Sequence, residues 1–168
     1  GICMVSQYLH SPAVLLPPGM LLSGRYRLQR ELGRGRAAVV YLAHDISLDV
    51  PVAVRVLALT ASEQARHRRE VLAAWDIGHD HIVRVHGFAV LDEGQARVVE
   101  FADGESLRKL IDVARKLPPR YAAKIVCDAA TGVHYAHVAG NDDGTPLVHG
   151  DLRPETLLLS FSGAVKVT

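Results

Sequence analysis

His149-Gly150-Asp151-Leu152-Arg153-Pro154-Glu155-Thr156 is the stretch whose reading decides the fold. It sets an aspartate in a loop between a histidine and a proline. Ahead of it, in chain order, come Gly33-Arg34-Gly35, the apolar run Val52-Ala53-Val54-Arg55, and Glu70 in a helical segment. Singly, each has an ordinary explanation. A Gly-x-Gly pair alone is a hairpin turn. Arg55 alone is a surface arginine on an edge strand, and Glu70 alone is a solvated helix charge among Arg66, Arg68 and Arg69. Asp151 alone caps a turn. The weight lies in all four occurring in this order.

Working outward, residues 1–23 carry Pro12, Pro17, Pro18 and Gly19 without periodicity and read as a lead-in arm or linker. From Tyr26 the pattern is strand, glycine turn, strand: Tyr26-Arg27-Leu28 into Gly33-Arg34-Gly35, then Val39 to Ala43. Val52 to Leu57 is a third strand. Ser62 to Trp75 predicts a helix with the stripe Val71, Leu72, Ala74 and Trp75, and Ser62 as its cap. His81 to Phe88 and Gln95 to Phe101 predict two more strands around the turn Asp92-Glu93-Gly94. Beyond Gly104 the spacing turns helical: Leu107, Leu110 and Ile111, then Ala122, Ile125, Val126, Ala129, Ala130, Val133 and Ala136. Leu157-Leu158-Leu159 and Ala164 to Val167 predict a short hairpin around Ser162-Gly163. A sheet-rich part followed by a helical part is α+β: five strands and one helix over 24–102, a helical part over 103–168, and no internal repeat.

Composition narrows the class. The 168 residues are 49% apolar, enough for a core. Nineteen Lys and Arg against eighteen Asp and Glu leave a net charge of +1, so neither a nucleic-acid nor a membrane partner is expected. Val14-Leu15-Leu16 is too short for a signal-peptide core, and no apolar run nears the roughly 20 residues of a membrane helix. Two distant cysteines, Cys3 and Cys127, fit a reduced, cytoplasmic protein. His79, His81 and His86 lie close in sequence without a zinc-ligand pattern.

Phosphoryl transfer requires positioning and charge neutralisation more than covalent chemistry. Glycines let the backbone approach phosphates, a cation holds them, a carboxylate orients the cation, and an aspartate takes the substrate hydroxyl. Gly24-Arg25-Tyr26-Arg27-Leu28, Glu31-Leu32-Gly33-Arg34-Gly35, Val39 to Asp45, Val52-Ala53-Val54-Arg55, Val98-Val99-Glu100-Phe101, Gly132 to His137 and Asp151-Leu152-Arg153-Pro154-Glu155-Thr156 resemble bacterial, eukaryotic-like serine/threonine protein kinases. The resemblance runs from about Gly24 to Thr168 and covers the small lobe and the first part of the large lobe. It implies a protein-kinase-like fold with ATP and Mg²⁺ as cofactors. It places Gly33 and Gly35 over the phosphates, with Arg55 and Glu70 as the phosphate-binding cation and its carboxylate. Val40, Ala53 and Leu158 would sandwich the adenine, and Glu100 and Ala102 would offer hinge backbone groups. Asp151 would be the catalytic base, with Arg153 beside it, and Thr156 would stand at the metal-ligand position.

The pattern is broken where charge and metal matter. Ala38 replaces a third glycine, after Arg36 and Ala37, and its methyl group restricts the loop. Arg55 replaces a lysine, and a planar fork does not reproduce a compact ammonium. Gly150 replaces an arginine that answers activation-loop phosphate. Arg153 replaces a lysine, and Thr156 an asparagine that ligates Mg²⁺. The sequence stops at the strand that precedes the family's Asp-Phe-Gly.

The resulting expectation is a degenerate, pseudokinase-like module with weak or no phosphotransfer, binding nucleotide weakly or not at all and acting through protein contacts. The helix face of Ile125, Val126, Ala129 and Val133 is expected to be covered by another chain, including a second copy. A fragment of an active serine/threonine kinase is the alternative. An aminoglycoside- or choline-type phosphotransferase, on the His149-Gly150-Asp151 likeness, ranks last.

Overall fold

The computed structural model describes residues 15–35, 38–57, 61–75, 77–91, 94–140 and 143–168. The expectations for residues 1–14, for Arg36 and Ala37 and for the Asp92-Glu93 turn lie outside it, as do the side chains of Glu70, Val71, Ala74 and Trp75. The chain forms two compact units, Gly1–Trp75 with Val85–Phe101, and Asp76–Arg84 with Ala102–Thr168.

The first unit is a six-stranded antiparallel sheet with one helix. Its strands are β1 (Leu21–Leu22), β2 (Tyr26–Arg34), β3 (Ala38–Asp45), β4 (Val50–Leu57), β5 (Val85–Leu91) and β6 (Gly94–Glu100), in the order β1-β2-β3-β4-β6-β5. Helix α1 (Ala61–Trp75) joins β4 to β5. Ser62 is the helix's second residue rather than its cap, and Leu72 is exposed rather than part of a buried stripe.

Alternation explains the sheet. Side chains one residue apart on a strand take opposite faces. The register pairs Val39 with Val56, Tyr41 with Val54 and Ala43 with Val52, and sets Val54 against Val98 and Val56 against Ala96. These valines and alanines and Tyr41, with Leu28 and Ala89, form one buried apolar face. Two register shifts along β2, at Leu28/Arg30 and Glu31/Gly33, curl the sheet. The lead-in arm is corrected in part: Leu22 is only 2% exposed within β1, and Leu16 packs on the same core and donates its N–H to the Tyr41 hydroxyl at 3.0 Å. One strand more than the expected five results.

A charge closes this core. The Asp45 side chain has no solvent exposure, yet it is ionically satisfied. Arg25 grips both its oxygens, Nε at 2.8 Å and Nη2 at 2.7 Å, and the Ser47 and Leu48 amides donate to Oδ1. The Arg25 bonds, and then the two amides, hold this carboxyl below the usual carboxylate range against the cost of burial.

The second unit holds β7 (Gly104–Ser106), α2 (Leu107–Ala114), α3 (Pro119–Ala139), a 3₁₀ turn (Pro154–Thr156), β8 (Leu157–Ser160) and β9 (Val165–Val167). Strands β7, β8 and β9 make one antiparallel sheet. Ser106 caps α2, accepting from the Lys109 N–H, and Pro118-Pro119 starts α3 where a missing N–H costs nothing. Ile125 and Ala129 of α3 pack with Leu157, Val165 and Val167. The expected apolar face of α3 is therefore split. Ile125, Ala129 and the half-buried Val133 turn inward, whereas Val126 is 64% exposed and Ala130 is exposed.

Residues 81–84 were expected to begin the strand that continues to Phe88. They instead add to the second unit: Val83 N–H donates to Val167 O, and Val167 N–H to His81 O. Gly132 makes room for this segment, since a Cβ there would lie 2.7 Å from His81 O. Glycine inside a helix costs about 1 kcal/mol relative to alanine, so close backbone approach is what the residue provides. Among the described residues no helix is long and apolar enough to cross a membrane.

Candidate active site

The expected site residues fall on both units. In the first, β2 ends beside the glycine pair. Gly33 pairs with Val40, and Gly35 N–H donates to Ala38 O at 2.8 Å, turning the chain into β3. Nothing lies within 4 Å of where a Gly33 Cβ would stand, so a ligand can approach this backbone. An exposed Glu31–Arg34 ion pair flanks it.

Val40 registers with Arg55, and Leu42 with Ala53. Val40, Ala53 and Arg55 therefore share the sheet face opposite the main core, as an adenine cover beside a phosphate-binding cation requires. Glu100 ends β6 opposite Val52, and Ala102 follows; both are half-buried. Glu70 lies on α1, and its side chain is outside the described residues.

In the second unit the loop 149–156 is braced from within. Gly150 takes φ +74, a conformation that suits glycine and would strain the arginine it replaces. Asp151 N–H donates to His149 Nδ1 at 3.2 Å, so the ring's proton sits on Nε2 and is donated to Thr168 O at 2.8 Å. Asp151 remains partly exposed, with Arg153 Nε 3.4 Å from its Oδ1. Arg153 also lies 3.9 Å from Glu155, whose other oxygen accepts from Arg108 Nε at 3.0 Å. The Glu155 carboxyl is held below its usual range first by its own backbone N–H and then by Arg108. Leu158 is half-buried on β8, paired with Ser106 and Lys166.

Thr156 is the informative departure. Its buried hydroxyl faces the Asp151 and Arg153 carbonyls, each at 3.0 Å, and accepts from Arg153 N–H at 3.1 Å. One hydroxyl has a single proton and two lone pairs, so its proton and one lone pair are committed to closing the loop. It fits a metal ligand poorly. Among the described residues no three His, Cys, Asp or Glu side chains gather around a common point. His79 instead stacks near Tyr135, and His81 bonds Val165 O at 2.9 Å, 3.8 Å from Asp128. Thr156→Val is expected to cost about 1–3 kcal/mol of unfolding free energy and to deprotect the Arg153 amide, read by urea unfolding and hydrogen exchange. An unchanged Arg153 exchange rate would remove the brace.

Chemically, an accessible carboxylate on a braced loop can accept a hydroxyl proton, and a neighbouring guanidinium can offset phosphoryl charge. A curled antiparallel sheet with a glycine turn and a strand-borne cation, together with such a loop, defines a protein kinase domain. The chain belongs to that family: the protein kinase domain profile matches residues 26–168. It is similar to the probable serine/threonine-protein kinase SCO3848 of Streptomyces coelicolor, at 38% identity over 154 residues, 87% of this chain and 22% of that protein. It is also similar to the serine/threonine-protein kinase PrkC of Bacillus subtilis, at 32% identity over 154 residues, 89% of this chain and 23% of that one. The crystal structure of the Mycobacterium tuberculosis PknI kinase domain matches with a TM-score of 0.77 and 25% identity, over 91% of this chain and 62% of that domain. The chain thus spans under a quarter of the length of these two curated relatives. The bacterial, eukaryotic-like kinase resemblance and the protein-kinase-like fold both hold.

Two features escaped sequence reading. The Arg25–Asp45 clamp joins residues twenty apart, and the residue across the strand pair from Arg55 is another arginine, Arg97. The strand register needed for the second is not written in either segment alone.

Proposed function

We propose that this domain is a weakened kinase: it takes ATP on the glycine-turn and Arg55 side, and its phosphotransfer to serine or threonine is slow or lost. It would then act mainly as a regulatory module through contacts with other protein chains. The observation that carries the reading is Thr156, whose hydroxyl proton and one lone pair are committed to the loop where the family pattern has a metal-binding amide. Arg55 supports it, because a fork on a longer stem replaces a compact ammonium. When bound, Mg²⁺ would supply charge neutralisation at the phosphates. Asp151 would hold the hydroxyl proton, and Arg153 would face the phosphoryl oxygens.

The test is ATP-dependent labelling of a serine/threonine peptide by the full-length protein, natural and as Thr156→Asn with Arg55→Lys. The natural protein is expected to be slow and the double variant faster by about 10² or more, the scale of a restored charge-stabilising contact. Rapid labelling by the natural protein, abolished by Asp151→Asn, would establish the active-kinase reading instead. The partly exposed Asp151 carboxylate on its braced loop is the observation that favours that second reading.

A further inference from the structure

The face of the first sheet opposite its main core carries two arginines side by side. Val40, Arg55, Arg97 and Phe88 register with one another across β3, β4, β6 and β5. Arg55 and Arg97 are direct cross-strand partners, an arrangement in which like charges repel. Val99 on the same strand face and Phe88 across from Arg97 are apolar, so nothing in the strand pattern requires a second cation. Arg97 Nε is sealed from solvent and meets no acceptor among the described residues. Two residues earlier on the same face, the buried Gln95 Oε1 also meets no partner. Turning that amide over would present an N–H₂ donor there.

A half-buried guanidinium whose Nε is sealed and unbonded is costly and normally comes with a counter-charge. Burial, and then the nearby Arg55, push Arg97 down to about 10, which leaves it a cation at neutral pH. A guanidinium's planar fork suits phosphate oxygens, and two forks side by side suit two linked phosphates.

We propose that Arg97 is a second phosphate-contacting residue, forming with Arg55 a two-arginine seat for the pyrophosphate group of a ligand. The inference deepens the nucleotide reading above by adding a cation from β6, and it gives a physical role to an arginine at position 55. With Arg97 directly opposite, phosphate charge is shared between two forks instead of concentrated on one ammonium.

The experiment is thermal unfolding of the full chain at constant ionic strength, titrated separately with inorganic pyrophosphate and with ATP. The natural chain, Arg97→Leu, and Arg30→Ser as an exposed-arginine control are compared. Pyrophosphate is expected to raise the midpoint of the natural and control chains. Arg97→Leu should bind it about tenfold or more weakly, the loss of one charge-assisted hydrogen bond. Without anion, Arg97→Leu should melt at or above the natural midpoint, because a half-buried charge with a sealed, unbonded Nε is gone. Pyrophosphate binding by Arg97→Leu within twofold of natural would overturn the proposal. So would a clearly lower midpoint of that variant without anion, the mark of a carboxylate of this chain already paired with Arg97. The arms separate the two readings: response to pyrophosphate through Arg97 without response to ATP sinks nucleotide binding alone, while ATP binding indifferent to Arg97→Leu sinks the two-arginine seat alone.

Discussion

Gly104→Ala is expected to destabilise the second unit by about 3 kcal/mol or more, at the upper end of what overpacking costs. A Cβ at this position would stand 2.0 Å from Leu159 O and 2.7 Å from both Leu159 C and Ser160 Cα. All three are backbone atoms, so no side-chain rotation relieves the clash. The only remedy is to part β7 from β8, which breaks the pairs of Gly104 with Ser160 and Glu105 with Leu159. Gly132→Ala makes an instructive contrast. Its clash is milder, at 2.7 Å, and alanine returns about 1 kcal/mol of helix propensity, so its net cost should be smaller. Urea unfolding with hydrogen exchange of the β7 and β8 amides reads both. A Gly104→Ala protein within about 1 kcal/mol of natural, a typical point-mutant effect, would mean that the strand approach is looser than described.

Asp45→Ala should cost on the order of 2–3 kcal/mol, with a distinctive pH dependence. The substitution removes a fully buried acceptor of two Arg25 bonds and of the Ser47 and Leu48 amides. Arg25 itself is partly exposed and lies over the Tyr26 ring, 5.1 Å from its centroid, so water and the ring soften its loss. The sign follows from linkage. The folded carboxyl is held below its unfolded value, so its stabilisation is fully present above the unfolded value of about 3.9 and is lost as pH falls through the folded one. Natural and variant stabilities should run parallel above about pH 5 and converge on acidification. Curves that stay parallel below pH 4 would show that Asp45 does not carry the charge assigned to it.

The parts of this fold that were legible in the sequence are those written within one short segment. The glycine pair, the Val-Ala-Val-Arg strand, the His-Gly-Asp loop and the Leu157–Val167 hairpin each announce themselves within about ten residues, through turn chemistry and period-two alternation. What was not legible depends on pairing. Arg97 reads as one polar position in a strand until the register sets it opposite Arg55. Ile125 and Val126 are adjacent aliphatics on α3, and a helix rich in alanine gives no sharp boundary to its buried stripe; packing against β9 turns the first inward and leaves the second in water. Thr156 was legible as a departure at a metal position, but its place in the hydrogen bonding of its own loop was not.

The excursion of residues 76–84 into the second unit has a practical corollary for anyone dissecting this polypeptide. Because β5 and β6 return to the first unit afterwards, the backbone passes between units three times, after Trp75, Arg84 and Phe101. A gene cut at the last passage alone would leave the downstream product without the stretch whose main chain bonds Val167 at both its N–H and its C=O. The upstream product would keep the whole first unit with that stretch attached, the downstream product would be an incomplete second unit, and a fragment-complementation design would have to supply that stretch in trans.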